Sequence, residues 1–195
     1  MSKVSYGRML DAAHEAVGPG AVVVGPGGYV YATTDRLDSA AGLDYTCRKW
    51  IAHPVTESMG VSCVRLVGHD ATLASPLFRN RVVSAHVELL AGVVDHALGD
   101  LAGRFAEGSA LLGRQLVQAG IADAAMLVDE VRDMTSALVL DHRVHARTFH
   151  RLVRGGRALL RLLGASGFLA DGPGGALMTA ELVGTLYLSV GERDE

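Results

Sequence analysis

The densest run of side chains able to hold a metal or move a proton is His142, His145 and His150, just after Asp141. His142 and His145 stand three apart, so on a helix both imidazoles share a face and can reach one ion. A di-metal bundle also requires a Glu-x-x-His pair from each of two helices. No such pair is repeated here, and the stretch reads as a solvated helix start. His86 and His96 read as partly buried or surface residues, not acid–base catalysts. Gly172-Pro173-Gly174-Gly175 lacks the Lys-Ser/Thr of a phosphate loop and reads as a turn. Cys47 and Cys63 give neither a disulfide framework nor a zinc pattern, which predicts two reduced thiols in a cytoplasmic protein. These residues by themselves identify no metal site and no catalytic group.

The elements that must position these groups fall into two blocks. Residues 1–76 read as a small antiparallel β unit, with Ala21–Val24, Tyr29–Thr33, Arg48–Val55 and Gly60–Val67 as strands between Gly and Pro turns. Residues 77–195 read as four amphipathic helices. Val83, Val87, Leu90, Val94, Ala97, Leu101 and Phe105 step by three or four residues, as the buried stripe of a helix does. A second helix is predicted over about Gln115–Asp141, with Leu127, Val131, Met134 and Leu138 on one face. A third is predicted over Val144–Leu163, and a fourth from the Asp171-Gly-Pro173 start to about Val190. Gly155 and Gly156 inside the third helix each cost about 1 kcal/mol relative to Ala, which predicts close approach of another helix or a kink there. Short linkers between long helices predict an antiparallel up-down four-helix bundle, and hence a mainly α fold.

Composition agrees with closely packed helices. Of the 195 residues, 49% are hydrophobic but only 5% aromatic, so the core is built from Ala, Leu and Val. A net charge of −3 gives no overall electrostatic case for nucleic acid or an anionic membrane. Arg, His or Asp interrupts each apolar run, so no membrane span is expected, and the N-terminus shows no secretory signal.

The order of signals in the helical block resembles the C-terminal domain of the acyl-CoA dehydrogenase family. The resemblance is carried by Arg81-x9-Ala91-Gly92, by Arg104-Phe105-Ala106-Glu107-Gly108-Ser109-Ala110-Leu111-Leu112-Gly113-Arg114-Gln115-Leu116-Val117-Gln118, and by Leu162-Leu163-Gly164-Ala165-Ser166-Gly167-Phe168-x2-Asp171-x-Pro173. It covers about Pro76 to Tyr187. Upstream, Gly42-Leu43-Asp44-Tyr45-Thr46-Cys47-Arg48 looks like the segment that closes the family's middle β domain; Lys49-Trp50-Ile51 also echoes that domain's flavin-side Trp motif, but the chain then reaches the bundle too soon for that alignment, and the first is preferred. The likeness implies a truncated relative: a remnant of the middle domain plus the bundle, with no N-terminal helical domain.

The departures bear most on chemistry. The resemblance implies a rim facing the FAD of a neighbouring subunit, formed by Ser109, Leu112, Gln118, Arg161, Gly164 and Gly167. Ser109 and Leu112 stand where the family carries Arg and Phe, so a guanidinium able to pair with the pyrophosphate is missing. Arg161 replaces a Gln, and Gln118 is kept. Family members abstract the α-proton with a Glu directly after a Tyr near the end of the fourth helix. Here that Tyr is Tyr187, and the Glu position is Leu188. Glu88 and Glu181 read as rim residues, not as relocated bases. Two functions fit. The chain is a non-catalytic partner subunit, in a homo- or hetero-oligomer, that completes the FAD site of a full-length dehydrogenase acting on an acyl thioester. Alternatively it is a flavin-free, repurposed homo-oligomeric fold with a biosynthetic or structural role.

Overall fold

A computed structural model describes residues 5–40, 47–68, 74–137 and 141–189. The fold is mainly α, with a four-helix bundle and a small antiparallel sheet. The bundle helices are α4 (Pro76–Ala102), α5 (Gln115–Ala137), α6 (His142–Leu163) and α7 (Pro173–Tyr187). The sheet is formed by β1 (Tyr29–Ala32), β2 (Arg48–Ile51) and β3 (Ser62–Leu66) in the order β1-β3-β2, both pairings antiparallel. Three helices unexpected from sequence lie in the first block: α1 (Ser5–Glu15), α2 (Thr34–Ser39) and α3 (Pro54–Ser58). A two-stranded hairpin, β4 (Phe105–Ala106) with β5 (Ser109–Ala110), joins α4 to α5.

Helix ends follow local chemistry. Ser75 caps α4 by accepting from Phe78 N at 3.1 Å, with Pro76 in the first turn where its missing N–H costs nothing. The helix therefore starts a turn earlier than the apolar stripe suggests and stops at Ala102. Phe105 leaves it and is 71% exposed in the hairpin. Asp141 does not end α5. It caps α6, accepting from Val144 N at 2.9 Å. The start of α7 takes Pro173 but has Gly172 as its cap, and Asp171 makes no capping bond. Leu138, expected on the α5 core face, lies outside the described residues, as do 42–46 of the upstream motif.

By length and composition α4 would pass for a membrane span, with a mean hydropathy of 1.3, contrary to the sequence expectation. In the fold it is the central helix. Helices α1, α5, α6 and α7 all pack against it, and Phe78, Val82, Val93, Ala97 and Leu101 are fully enclosed. The glycines of α6 mark two of the close approaches expected. A methyl on Gly155 would lie 2.7 Å from Leu127 of α5, and one on Gly156 would lie 3.1 Å from Leu177 of α7.

The β block is joined to the bundle by two buried side chains. His14 of α1 donates through Nε2 to the Tyr31 carbonyl at 2.8 Å and accepts at Nδ1 from Val23 N at 3.0 Å, which fixes the neutral Nε2–H tautomer. The Tyr187 hydroxyl at the end of α7 donates to the Val23 carbonyl and accepts from Tyr31 N, both at 3.1 Å. Both peptide groups of Val23 and of Tyr31 are thereby satisfied without a strand partner on that side. This is why Ala21–Val24, although apolar, is not a strand. Phe78 stacks against both rings, 5.0 Å from His14 and 4.9 Å from Tyr187.

Burial holds His14 at about 4, well below the ordinary imidazole value. The unfolded chain therefore binds a proton that the folded chain does not, between about pH 6.5 and 4. Stability is at its full value above that window and falls through it by up to about 1.4 kcal/mol per pH unit for this group. Urea titrations across this range should show the fall, and His14→Gln should make it shallower, leaving the share of His86 and His145, whose values burial also lowers; an unchanged slope would discard the assignment. A second expectation concerns packing. In Gly184→Ala the new methyl would sit 2.2 Å from the Phe149 ring and should cost about 1–3 kcal/mol, whereas Gly99→Ala, with open space around it, should add about 0.5–1 kcal/mol. Denaturation midpoints moving in the same direction for both would contradict the α6–α7 contact.

Candidate functional site

Two places on the bundle bear on function: the end where α4 meets α5 and α6 meets α7, and a groove between α6 and α7. At the end, Arg104 donates to Asp100 at 3.0 Å and to the Leu163 carbonyl at 2.7 Å, tying the β4–β5 hairpin to the last turn of α6. The start of α5 lies against the same turn, since a methyl on Gly120 would meet Leu162 at 2.8 Å. Ser109, Leu112, Gln118, Arg161, Gly164 and Gly167 thus come from sequence-distant segments to one end of the molecule.

Their environments differ. Ser109, Gln118 and Arg161 are exposed, whereas Leu112 is half-buried against the core. Gly164 ends α6 with φ +67°, the left-handed region that favours glycine, and the nearest atom to a methyl there would be an Arg104 nitrogen at 4.0 Å. Its backbone is open to approach. Gly167 is enclosed instead, because a methyl there would meet Leu163 at 2.8 Å and the Leu160 carbonyl at 2.9 Å. Gly174 and Gly175 likewise let α7 press backbone to backbone on the preceding turn; a methyl on Gly175 would overlap the Ala170 carbonyl at 1.7 Å. Packing therefore accounts for this glycine-rich stretch. Four large apolar side chains are exposed on segments at this end: Phe105 (71%), Leu116 (86%), Phe168 (62%) and Leu169 (57%).

Gln118 and Arg161 carry exposed polar side chains and Gly164 an open backbone, the kinds of group that could meet one edge of a pyrophosphate-bearing cofactor such as FAD. They form an edge and not a cradle, since the remaining positions are packed or carry no charge.

The carboxylate question has a direct answer. Leu188 is 2% exposed and belongs to the main core, so its position faces other apolar side chains. Glu88 on α4 pairs with Arg132 of α5 through contacts of 2.9 and 3.2 Å, and Glu181 on α7 pairs with Arg157 of α6. Both acids join helices.

The groove was not legible in the sequence. It has a volume of about 590 Å³, within the range of small-molecule sites. Leu90 of α4, Leu152 and Leu160 of α6, and Leu177 and Leu182 of α7 make its walls. His86 lies on α4 beside them, fully buried and with its pKa lowered by that burial. Its Nε2 is 2.5 Å from the Ala180 carbonyl, and its Nδ1 is 3.3 Å from the Tyr6 hydroxyl. Its Nδ1 also lies 2.9 Å from the Val82 carbonyl, so both ring nitrogens are engaged by groups of the core. Polar character is confined to the rim, at Arg157, Arg161, Glu181 and Thr185. His142 is exposed and His145 fully enclosed, so the pair does not converge on an ion; no cluster of three or more potential ligands occurs among the described residues.

Neither a protein-family model nor a curated protein matches this chain in sequence. Solved structures do match in shape. Butyryl-CoA dehydrogenase from Megasphaera elsdenii superposes with a TM-score of 0.56 at 12% identity, over 88% of this chain and 56% of the other. A glutaryl-coenzyme A dehydrogenase in complex with glutaryl-CoA gives 0.51 at 14%, over 86% and 53%. The prolyl acyl carrier protein oxidase AnaB gives 0.51 at 11%, over 84% and 53%. The chain has an acyl-CoA dehydrogenase-like fold. It spans little more than half the length of these structures.

An apolar fluorescent dye should light up in the α6–α7 groove. Thr185→Trp, placing a large ring at the exposed rim, should reduce that signal several-fold with no change in helical circular dichroism. Undiminished fluorescence would place the dye elsewhere, such as the apolar end.

Proposed function

We propose that this chain is a non-catalytic partner of a flavin-binding acyl-CoA dehydrogenase-like subunit, with the α4–α5/α6–α7 end of its bundle covering an FAD held by that subunit. One observation carries the reading: Phe105, Leu116, Phe168 and Leu169 are exposed at the end that also presents Gln118, Arg161 and the open Gly164 backbone. Exposed apolar side chains gathered beside uncommitted polar groups are the composition of an interface. Arg161 and Gln118 would contact the pyrophosphate edge, and Ser109 and Leu112 would border it. FAD supplies hydride acceptance when bound to the partner. The α-proton acceptor would also belong to the partner, since Leu188 offers none. The substrate of such a complex would be an acyl thioester, as the name of the glutaryl-CoA complex indicates for that relative.

A second reading rests on a different observation. The α6–α7 groove has the size and apolar walls of a ligand site, which supports a flavin-free protein that binds a small apolar molecule by itself.

Expression alone and together with a full-length dehydrogenase homologue separates the two. A partner subunit is colourless by itself and co-purifies with a yellow complex. Arg161→Glu should lower the flavin retained in that complex several-fold without loss of helical signal. Failure to co-purify with any homologue, together with ligand binding by this chain alone, would reject the first reading in favour of the second. Leu188→Glu should create no desaturation in the isolated chain and should destabilise it by several kcal/mol, because it buries an unpaired carboxylate in the core. Flavin-dependent desaturation by that isolated variant would refute the assigned division of labour.

A further inference from the structure

Neither Tyr187 nor Leu188 lines the α6–α7 groove, which α7 borders with Met178, Glu181, Leu182 and Thr185. Tyr187 bonds to Val23 and Tyr31, and Leu188 is packed in the core. The groove is therefore separate from the position that the resemblance assigns to a base. Its lining also holds no free acid, base or thiol. His86 has both ring nitrogens engaged, and Glu181 is paired with Arg157. Such a lining can hold a molecule without transforming it.

The walls are aliphatic, from Leu90, Leu152, Leu160, Leu177 and Leu182. On α7 the lining runs from Gly174 to Thr185, about 16 Å of helix. An extended chain of about a dozen carbons, advancing about 1.2 Å per bond, has a similar length. Charge is confined to the rim, where Arg157 of α6 and Glu181 of α7 neutralise one another. Gly184 meets Phe149 and Gly156 meets Leu177, so the two helices are antiparallel and Arg161 lies toward the Gly174 end. Arg161 is exposed, the last of a line of exposed arginines on α6 after Arg143, Arg147 and Arg154. Among the described residues it has no hydrogen-bond or ion-pair partner. The groove thus has apolar walls along its length and one uncommitted cation at one end.

We propose that the groove binds an aliphatic carboxylate of about a dozen carbons as the free anion, its chain between α6 and α7 and its head on Arg161. The proposal rests on the second reading above, that the groove is a ligand site, and adds the ligand's chemical class. A guanidinium offers two parallel donors that match a carboxylate. An alcohol or a thioester carries no charge at its head and leaves that cation unused. A cationic head is repelled by it. Glu181 opposes a second carboxylate farther along the rim, so a monoacid is favoured over a diacid. The apolar walls supply the bulk of the affinity and Arg161 supplies the selectivity.

The test is displacement of an apolar fluorescent dye from the purified full chain. Dodecanoate, dodecanol and the neutral thioester dodecanoyl-N-acetylcysteamine serve as competitors, each below its micelle-forming concentration. Dodecanoate should displace the dye at a concentration at least about fivefold lower than either neutral compound. Arg161→Gln should remove that advantage and leave the neutral competitors unchanged. Glu181→Gln should tighten dodecanoate by about twofold or more, since it removes a repelling charge and releases Arg157. A merely damaged groove would weaken all three ligands alike, and helical circular dichroism checks that the variants fold. Equal displacement by all three, a thioester that outcompetes dodecanoate, or an Arg161→Gln chain that keeps the preference would each overturn the proposal while leaving the groove a ligand site. Displacement by none of the three would reject that reading of the groove as well. Flavin plays no part in the readout, so failure here leaves the flavin-partner reading untouched.

Discussion

The fold depends on the crossed hydrogen bonds that His14 and Tyr187 make to the peptide groups of Val23 and Tyr31. Four buried backbone groups that would otherwise need a strand are satisfied by two side chains, one from each end of the chain. The free-energy argument is one-sided. Each such bond contributes only about 0.5–1.5 kcal/mol net, but losing it inside the core leaves a buried polar group and costs about 1–3 kcal/mol. The aromatic contacts of Phe78 with both rings hold the donors in place, so the polar cross and the apolar core are one structure. It also brings Tyr187, and with it Leu188, into the interior.

That last consequence connects architecture to chemistry. The position that the sequence resemblance assigns to a base follows a tyrosine that is here a structural bolt. Leu188 caps α7 and packs into the core, so that position presents neither an ionisable group nor an open side chain. The two other candidate carboxylates are tied up in helix-joining ion pairs. What the molecule presents outward is recognition surface: an apolar end with a few uncommitted polar groups, a groove with apolar walls, and a face striped by opposite charges. The three adjoin: Arg161 belongs to the bundle end, to the rim of the groove and to the charged face of α6, and Phe168 to both the end and the groove.

The formal charge of −3 hides this pattern. Twenty-one acidic and eighteen basic residues nearly cancel over the chain, yet α6 holds six arginines and no acid, and α5 holds four acids and one arginine. The relevant electrostatic scale is the width of a helix, near the Debye length of about 8–10 Å in ordinary salt. At that range neighbouring ridges act on a partner separately.

The sequence by itself determined the bundle and its family likeness. Apolar residues repeating every three or four positions have one low-energy solution when joined by short linkers, and Gly155 and Gly156 announce helix contacts because only glycine lets backbones approach so closely. It also showed that Leu188, at the position the resemblance assigns to the base, carries no ionisable group. The arginine line on α6 was equally legible, at spacings of four, seven and seven, but the whole-chain charge masked it. Tertiary structure decided the rest. Helix α1 is a short amphipathic stretch whose fate depends on α4 being there to cover. Ala21–Val24 has the composition of a strand and lacks only a strand partner, which His14 and Tyr187 replace from distant positions. The six expected rim residues share one end of the bundle, yet Gly167 is closed by packing while Gly164 stays open. The groove is lined by residues of α4, α6 and α7 that are distant in sequence, so only their packing creates it. Periodicity fixes which face of a helix is buried, but which neighbour buries it, and what space is left over, are set by contacts between residues far apart in the chain.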